Sequence, residues 1–190
     1  CKCPYLMKKS LLLLFFFLAY VSYSQINTNN IEIVRDSFGI PHIFGKTDEE
    51  TAFGLAWAHA EDDFQTIQKT FLPAKSLSGN NIGKDGVFLD YAVELLRCRD
   101  VAKREIKNLS PKVKKVISGY IEGLNAYANK YPKKVLVKNS FPINIIDYLT
   151  GYNLILHLFS DTSDVLGRLL SNNIDPIENL NEVDKIKNNI

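Results

Sequence analysis

The stretch from Val34 to Asp63 constrains the fold of this 190-residue chain more than any other. Two periodicities meet in it. Ile31 to Arg35 alternates as a strand does. Asp36-Ser37-Phe38-Gly39 has turn chemistry, with Gly39 suited to positive φ. Ile40 to Phe44 resumes an extended pattern, and Pro41, which has no N–H for a ladder, makes it an edge strand. Thr47-Asp48-Glu49-Glu50 has the S/T-x-x-E form of a capping box. Phe53, Trp57, Ala60, Phe64, Ile67 and Phe71 then recur at three- and four-residue steps. The pattern predicts a β-hairpin leading directly into an amphipathic helix that Pro73 ends.

The rest of the chain reads as helical. Ser76 to Gly86 is expected to be a surface loop, and Phe88 to Lys107 a second helix. Ser110 as cap and Pro111 at the first helical position open another. Its apolar stripe is Val113, Val116, Ile117, Tyr120, Ile121, Leu124, Tyr127 and Tyr131, and Pro132 stops it. Lys133 to Lys138 reads as a short basic strand, Ile145 to Phe159 as a helix, and Asp164 to Ser171 as a last one. The predicted class is mostly α with a short N-terminal β-hairpin.

Hydrophobic residues make up 46% and charged ones 23%, an ordinary globular balance. Lys plus Arg numbers 23 against 21 Asp plus Glu, which gives no reason to expect nucleic acid or an anionic membrane as partner. Met7-Lys8-Lys9, the apolar run Leu11 to Val21 and Ser22-Tyr23-Ser24 have the order of a signal peptide cleaved before Gln25. The run is roughly half the ~20 residues that span a bilayer, so an uncleaved anchor is the lesser alternative. A periplasmic or secreted protein, free of the membrane after cleavage, is expected. Residues 1–6 precede Met7 and read as upstream sequence. The divisions are thus 1–24 for upstream residues and signal, 25–171 for the domain, and 172–190 for a polar tail or the start of a linker. Cys98, alone in the mature chain, is expected to be a buried inert thiol.

Three groups could carry chemistry. In His59-Ala60-Glu61-Asp62-Asp63, His59 shares a helix face with Asp62 and Asp63 but not with Glu61, which favours a structural histidine–carboxylate pair. His42 could be a base, yet no Ser, Cys or Thr sits in an activating motif, so a structural histidine packed under the hairpin is favoured. Ser160-Asp161-Thr162-Ser163-Asp164 offers the hard oxygen donors that Ca²⁺ accepts; the competing reading is a helix cap by Asp161 or Ser163. The aromatic stripes are core by default.

Three ordered segments give the chain a family likeness. Arg35-Asp36-Ser37-Phe38-Gly39-Ile40-Pro41-His42-Ile43, then Gly54-Leu55-Ala56-Trp57-Ala58-His59-Ala60-Glu61-Asp62, then Gly119-Tyr120-Ile121-Glu122-Gly123-Leu124-Asn125-Ala126-Tyr127 resemble the small chain of the penicillin acylase family. The likeness runs from about Ile31 to Ser160. It implies the small-chain part of an αββα N-terminal-nucleophile hydrolase, cut with its large (beta) chain from one precursor. The reaction implied is hydrolysis of an amide between an apolar acyl group and an amine, of the penicillin or acyl-homoserine lactone type. The nucleophile would be a Ser opening the large chain. No Gly-Ser-Asn-like junction occurs in these 190 residues, so this chain holds no catalytic residue and is expected to be inactive alone. Matching Phe159-Ser160-Asp161 to the family's Phe-Ser-Asp step makes Phe159, and Ile155 one turn earlier, the substrate-binding candidates. Asp164, reached by gapping one residue, is the implied calcium ligand. Ile143 stands where an aromatic is usual. An exported helical binding protein without catalysis is the alternative.

Overall fold

The computed structural model describes residues 26–160 and 162–170. The signal segment, Asp161 as a cap and the tail 172–190 lie outside the described residues. Strands β1 (Glu32–Arg35) and β2 (Pro41–Phe44) pair antiparallel, with Ile33 opposite Ile43 and Val34 opposite His42. Asp36 Oδ1 accepts from the N–H groups of Phe38 and Ile40 at 2.9 and 3.0 Å, and Gly39 takes a φ of +81°, which closes the turn. Seven helices follow among the described residues: α1 (Asp48–Phe71), α2 (Ser78–Ile82), α3 (Lys84–Leu95), α4 (Cys98–Glu105), α5 (Pro111–Lys130), α6 (Ile145–Leu158) and α7 (Thr162–Leu170).

Helix α1 organises the molecule. Its capping box is formed: Glu50 N–H donates to Thr47 Oγ1 at 3.1 Å and Glu50 Oε2 accepts from Thr47 N–H at 3.1 Å. The hairpin lies on one side of it. A Cβ at Gly54 would come 2.7 Å from Ile43 Cγ2 and 2.9 Å from Ile31 Cγ2, so the hairpin seats only against glycine. Helix α5 lies on another side. A Cβ at Gly123 would stand 2.5 Å from the Phe53 carbonyl oxygen, and one at Gly119 would collide with that of Glu49. This close approach buries Ala56, Ala60, Phe64, Phe71, Ile121, Leu124, Tyr127 and Ile143 in the main core. A second cluster, Ala92, Val93, Cys98, Leu154 and Leu166, joins α3, α4, α6 and α7. The buried Cys98 matches expectation.

Several elements differ from the sequence reading. Helix α1 is not continuous: Asp63 leaves helical geometry (φ −151°, ψ 72°), and its Oδ1 accepts from Thr66 N–H at 3.0 Å, so it caps a second segment. The expected loop 76–86 contains α2, whose first N–H groups, at Ser78 and Gly79, donate to the distant Asp90 carboxylate at 3.0 Å each. The expected helix 88–107 splits because Arg97 adopts a left-handed conformation (φ +54°), and the turn brings Cys98 into one cluster with Ala92 and Val93. The expected strand 133–138 is a 3₁₀ turn at Pro132–Lys134 and a loop. There the buried Gln68 replaces a neighbouring strand: its Nε2 donates to the Lys134 carbonyl at 3.0 Å and its Oε1 accepts from Leu136 N–H at 2.8 Å. Val113, counted in the apolar stripe of α5, is exposed.

Candidate functional site

Helix α6 carries the substrate-binding candidates, and it is firmly seated. Asn144 Oδ1 accepts from the N–H groups of Ile146 and Asp147 at 2.9 and 3.0 Å, while Asp147 Oδ2 accepts from Asn144 N–H at 3.1 Å. Asp147, only 2% exposed, also pairs with Arg99 of α4 at 2.8 Å. Gly151 lets the α6 backbone pass close to the Thr70 carbonyl of α1. Just upstream, Ile143 is buried, and both its backbone groups bond to the Asn125 side chain at 2.8 and 2.9 Å.

Ile155 and Phe159 fall one turn apart on α6 and its C-cap, with Phe159 N–H donating to the Ile155 carbonyl at 3.0 Å. Ile155 is half-buried, whereas Phe159 is 89% exposed. The sequence reading missed two further exposed side chains here, Tyr152 and Leu156. Tyr148, Tyr152, Ile155 and Phe159 recur at steps of four, three and four, the periodicity that could have revealed Tyr152. Between α4 and α6 runs an apolar groove of about 190 Å³, lined by Val101, Leu109, Leu149, Tyr152 and Leu156 among others.

Asp164 lies exposed in the first turn of α7, which begins at Thr162, so Ser163 is inside the helix and not its cap. Ser160 Oγ donates to the His157 carbonyl at 2.7 Å and contacts Thr162 Oγ1 at 3.0 Å. No group of three His, Cys, Asp or Glu residues gathers among the described residues. Ca²⁺ takes six to eight oxygens.

The two clusters with histidine make contacts between elements or within the hairpin. His59 Nδ1 meets the Tyr120 hydroxyl at 3.1 Å, not a carboxylate one helical turn away. Burial holds that phenol at about 12. Asp62 binds Arg35 of the hairpin at 2.8 Å, with Glu61 beside it at 3.4 Å. His42 is not packed under the hairpin; its side chain is exposed, with Nε2 3.3 Å from Asp36 Oδ2. Asp36 itself titrates low, first because Ile40 N–H donates to it. Among the described residues no histidine ring is hydrogen-bonded to a Ser, Thr or Cys side chain. The three sequence motifs therefore clasp one another: Arg35 to Asp62, Ile43 to Gly54, His59 to Tyr120.

The family model for penicillin amidase matches residues 30–158, from the hairpin to the end of α6. The chain belongs to the penicillin amidase family. Penicillin G acylase of Escherichia coli is 26% identical over 107 residues, which are 56% of this chain and 13% of that protein. Acyl-homoserine lactone acylase QuiP of Pseudomonas aeruginosa is 26% identical over 106 residues, 56% of this chain and 12% of that protein. The chain thus spans about an eighth of the length of the curated relatives it matches. A solved thermostable penicillin G acylase from Alcaligenes faecalis shares the fold with a TM-score of 0.57 at 20% identity, over 82% of this chain and 90% of that one. For this penicillin amidase family chain, no helix among the described residues is long and apolar enough to cross a membrane.

Proposed function

We propose that this chain is the small-chain portion of an exported amidase, periplasmic or secreted, that hydrolyses the amide between an apolar acyl group and an amine. The amide is of the penicillin or acyl-homoserine lactone type. The chain holds the acyl group, and a large chain from the same precursor completes the αββα N-terminal-nucleophile fold. The observation that carries this reading is Phe159. A phenylalanine 89% exposed beside Tyr152, Ile155 and Leu156 is costly on a free surface and suited to the wall of an apolar pocket. The lengths of the relatives support it too. Two are several times longer than this chain, yet a solved acylase contains a chain that this one covers over 90%.

In this mechanism Ile155 and Phe159 take the acyl group out of water and fix its direction. The large chain's terminal Ser attacks the carbonyl carbon with its hydroxyl oxygen, its own α-amino group accepting the proton. The amine leaves with a proton, and water releases the acid. We also propose Asp164 as one ligand of a Ca²⁺ shared with the large chain, which would have to supply most of the oxygens.

The test is co-expression of this chain with the large chain encoded by the continuation of its reading frame, assayed on penicillin G and an acyl-homoserine lactone. Turnover is expected from the pair and not from either chain alone. Phe159→Ala is expected to raise KM at least about tenfold, the scale of removing an apolar pocket contact. A pair that assembles and cleaves neither amide sinks the reading.

A further inference from the structure

We infer that the outer edge of β1 is a strand-docking site, on which a strand of the large chain pairs with Ile33 and Arg35 and sinks apolar side chains into a trough beside the hairpin. The inference rests on the two-chain reading above and deepens it by naming the edge and the kind of segment that meets it.

The register decides which edge is open. Asp36 N–H donates to the Ile40 carbonyl at 3.2 Å, so in this ladder Asp36, Val34 and Glu32 turn their backbone groups toward β2. Ile33 and Arg35, opposite Ile43 and Pro41, turn theirs away from it. Along the outer side of β1 each of these two residues therefore offers a donor and an acceptor, and among the described residues no group bonds to them there. Ile31 ends the run, because its N–H is already given to the Thr28 carbonyl at 3.1 Å. The outer edge of β2 is a poorer template. Pro41 faces it without an N–H, which leaves Ile43 as the one outward donor of that strand.

The ground beside β1 is shaped for side chains. A cavity of about 340 Å³ opens there, lined by Ile31, Ile33, Phe53, Trp57 and Ala126 among others, and by no residue of β2. Phe53 and Trp57 stack at 6.5 Å. Trp57 is held in turn by Tyr127, edge-on at 5.2 Å, and by its Nε1, which donates to Glu61 Oε1 at 3.0 Å. The wall is thus fixed before anything docks. A strand lying about 4.8 Å from β1 would set one face of its alternating side chains over this trough. Main-chain bonds to the edge then give affinity, and the trough demands apolar residues at every second position.

The occupant is a strand of the large chain and not a second copy. Arg35 shares a face with Ile31 and Ile33 and is tied to Asp62 at 2.8 Å. Two copies of β1 paired about a two-fold axis would set it against Ile31, Ile33 or the other copy's Arg35. Either a guanidinium enters the trough or two of them face each other. The large chain has no such handicap. A two-stranded sheet is marginal by itself, and in the αββα fold proposed above both sheets must draw their remaining strands from the large chain, since the described residues contribute two.

The experiment uses the assembled two-chain enzyme. Hydrogen exchange is read residue by residue by fragmentation mass spectrometry, and the dissociation constant of the pair is measured for the parent, Ile33→Pro and Ile43→Pro. Each proline deletes one outward N–H, from opposite edges of the hairpin. The Ile33 and Arg35 amides are expected to exchange at least about tenfold more slowly than the Ile43 amide. Ile33→Pro is expected to weaken assembly at least about tenfold relative to Ile43→Pro. Ile33 and Arg35 amides that exchange as fast as that of Ile43 overturn the inference whatever the variants do, so a variant that fails to fold leaves the decision intact. Protection of those amides in a complex that native mass spectrometry shows to hold two small chains gives the edge to a second copy, and overturns it too. An assembled pair with protected β1 amides that cleaves neither penicillin G nor an acyl-homoserine lactone keeps the strand and sinks the amidase reading. Cleavage with unprotected β1 amides does the reverse.

Discussion

Glu122 of α5 is a carboxyl at odds with its surroundings. Burial, and then the neighbouring Glu49 of α1, push its carboxyl above the ordinary value of 4.5. A carboxyl raised in the folded state favours folding when protonated, and that advantage is lost as pH rises through the folded pKa. Glu122→Gln is therefore expected to raise Tm at pH 7 and to give no gain near pH 4, as circular dichroism melts at the two values would read. An equal gain at both values would show that charge is not the cause. Residue-scale partners such as these were only partly legible in the sequence. Helical spacing pairs His59 with Asp62 or Asp63, because it sees only neighbours on one helix. The fold instead gives His59 to Tyr120, 61 positions away, and Asp62 to Arg35, 27 positions away.

Elements closed by their own residues were the legible ones. Thr47 and Glu50 start α1, and Ser110 and Pro111 start α5, where the pattern places them. Elements closed by distant partners were not: α2 depends on Asp90, the 132–138 loop on Gln68, and the bend at Arg97 on the core beneath it. Helix α6 is closed both ways, and this makes a prediction. Arg99→Ala strands the buried Asp147 carboxylate and is expected to cost about 3 kcal/mol in urea unfolding. Arg97→Ala removes a pair with Asp100 in which both side chains are more than half exposed, and is expected to cost under about 1 kcal/mol. Similar costs for the two would mean that Asp147 finds another partner or water.

On the scale of the whole molecule, two apolar surfaces stand out. The hairpin turns Val34, Phe38, Ile40 and Phe44 outward, and the end of α6 does the same with Leu156 and Phe159. Residues 26–170 expressed alone are expected to keep helical circular dichroism yet bind an apolar dye and sediment as associated species. A monomer with a sharp reversible melt would argue that these faces need no cover. The apolar stripe of α6 was visible in sequence only as periodicity, because which of its positions face outward depends on how α1 and α4 pack against it.

The position of Cys98 gives the same chain a built-in clock. Its thiol is wholly buried where α3, α4, α6 and α7 meet, and burial raises its pKa, so a thiol reagent must wait for those helices to part. In a chain lacking Cys1 and Cys3, its labelling rate therefore measures how often the helical end that carries Phe159 opens. Anything that settles on that end, whether protein or acyl group, slows the clock without touching the sulfur.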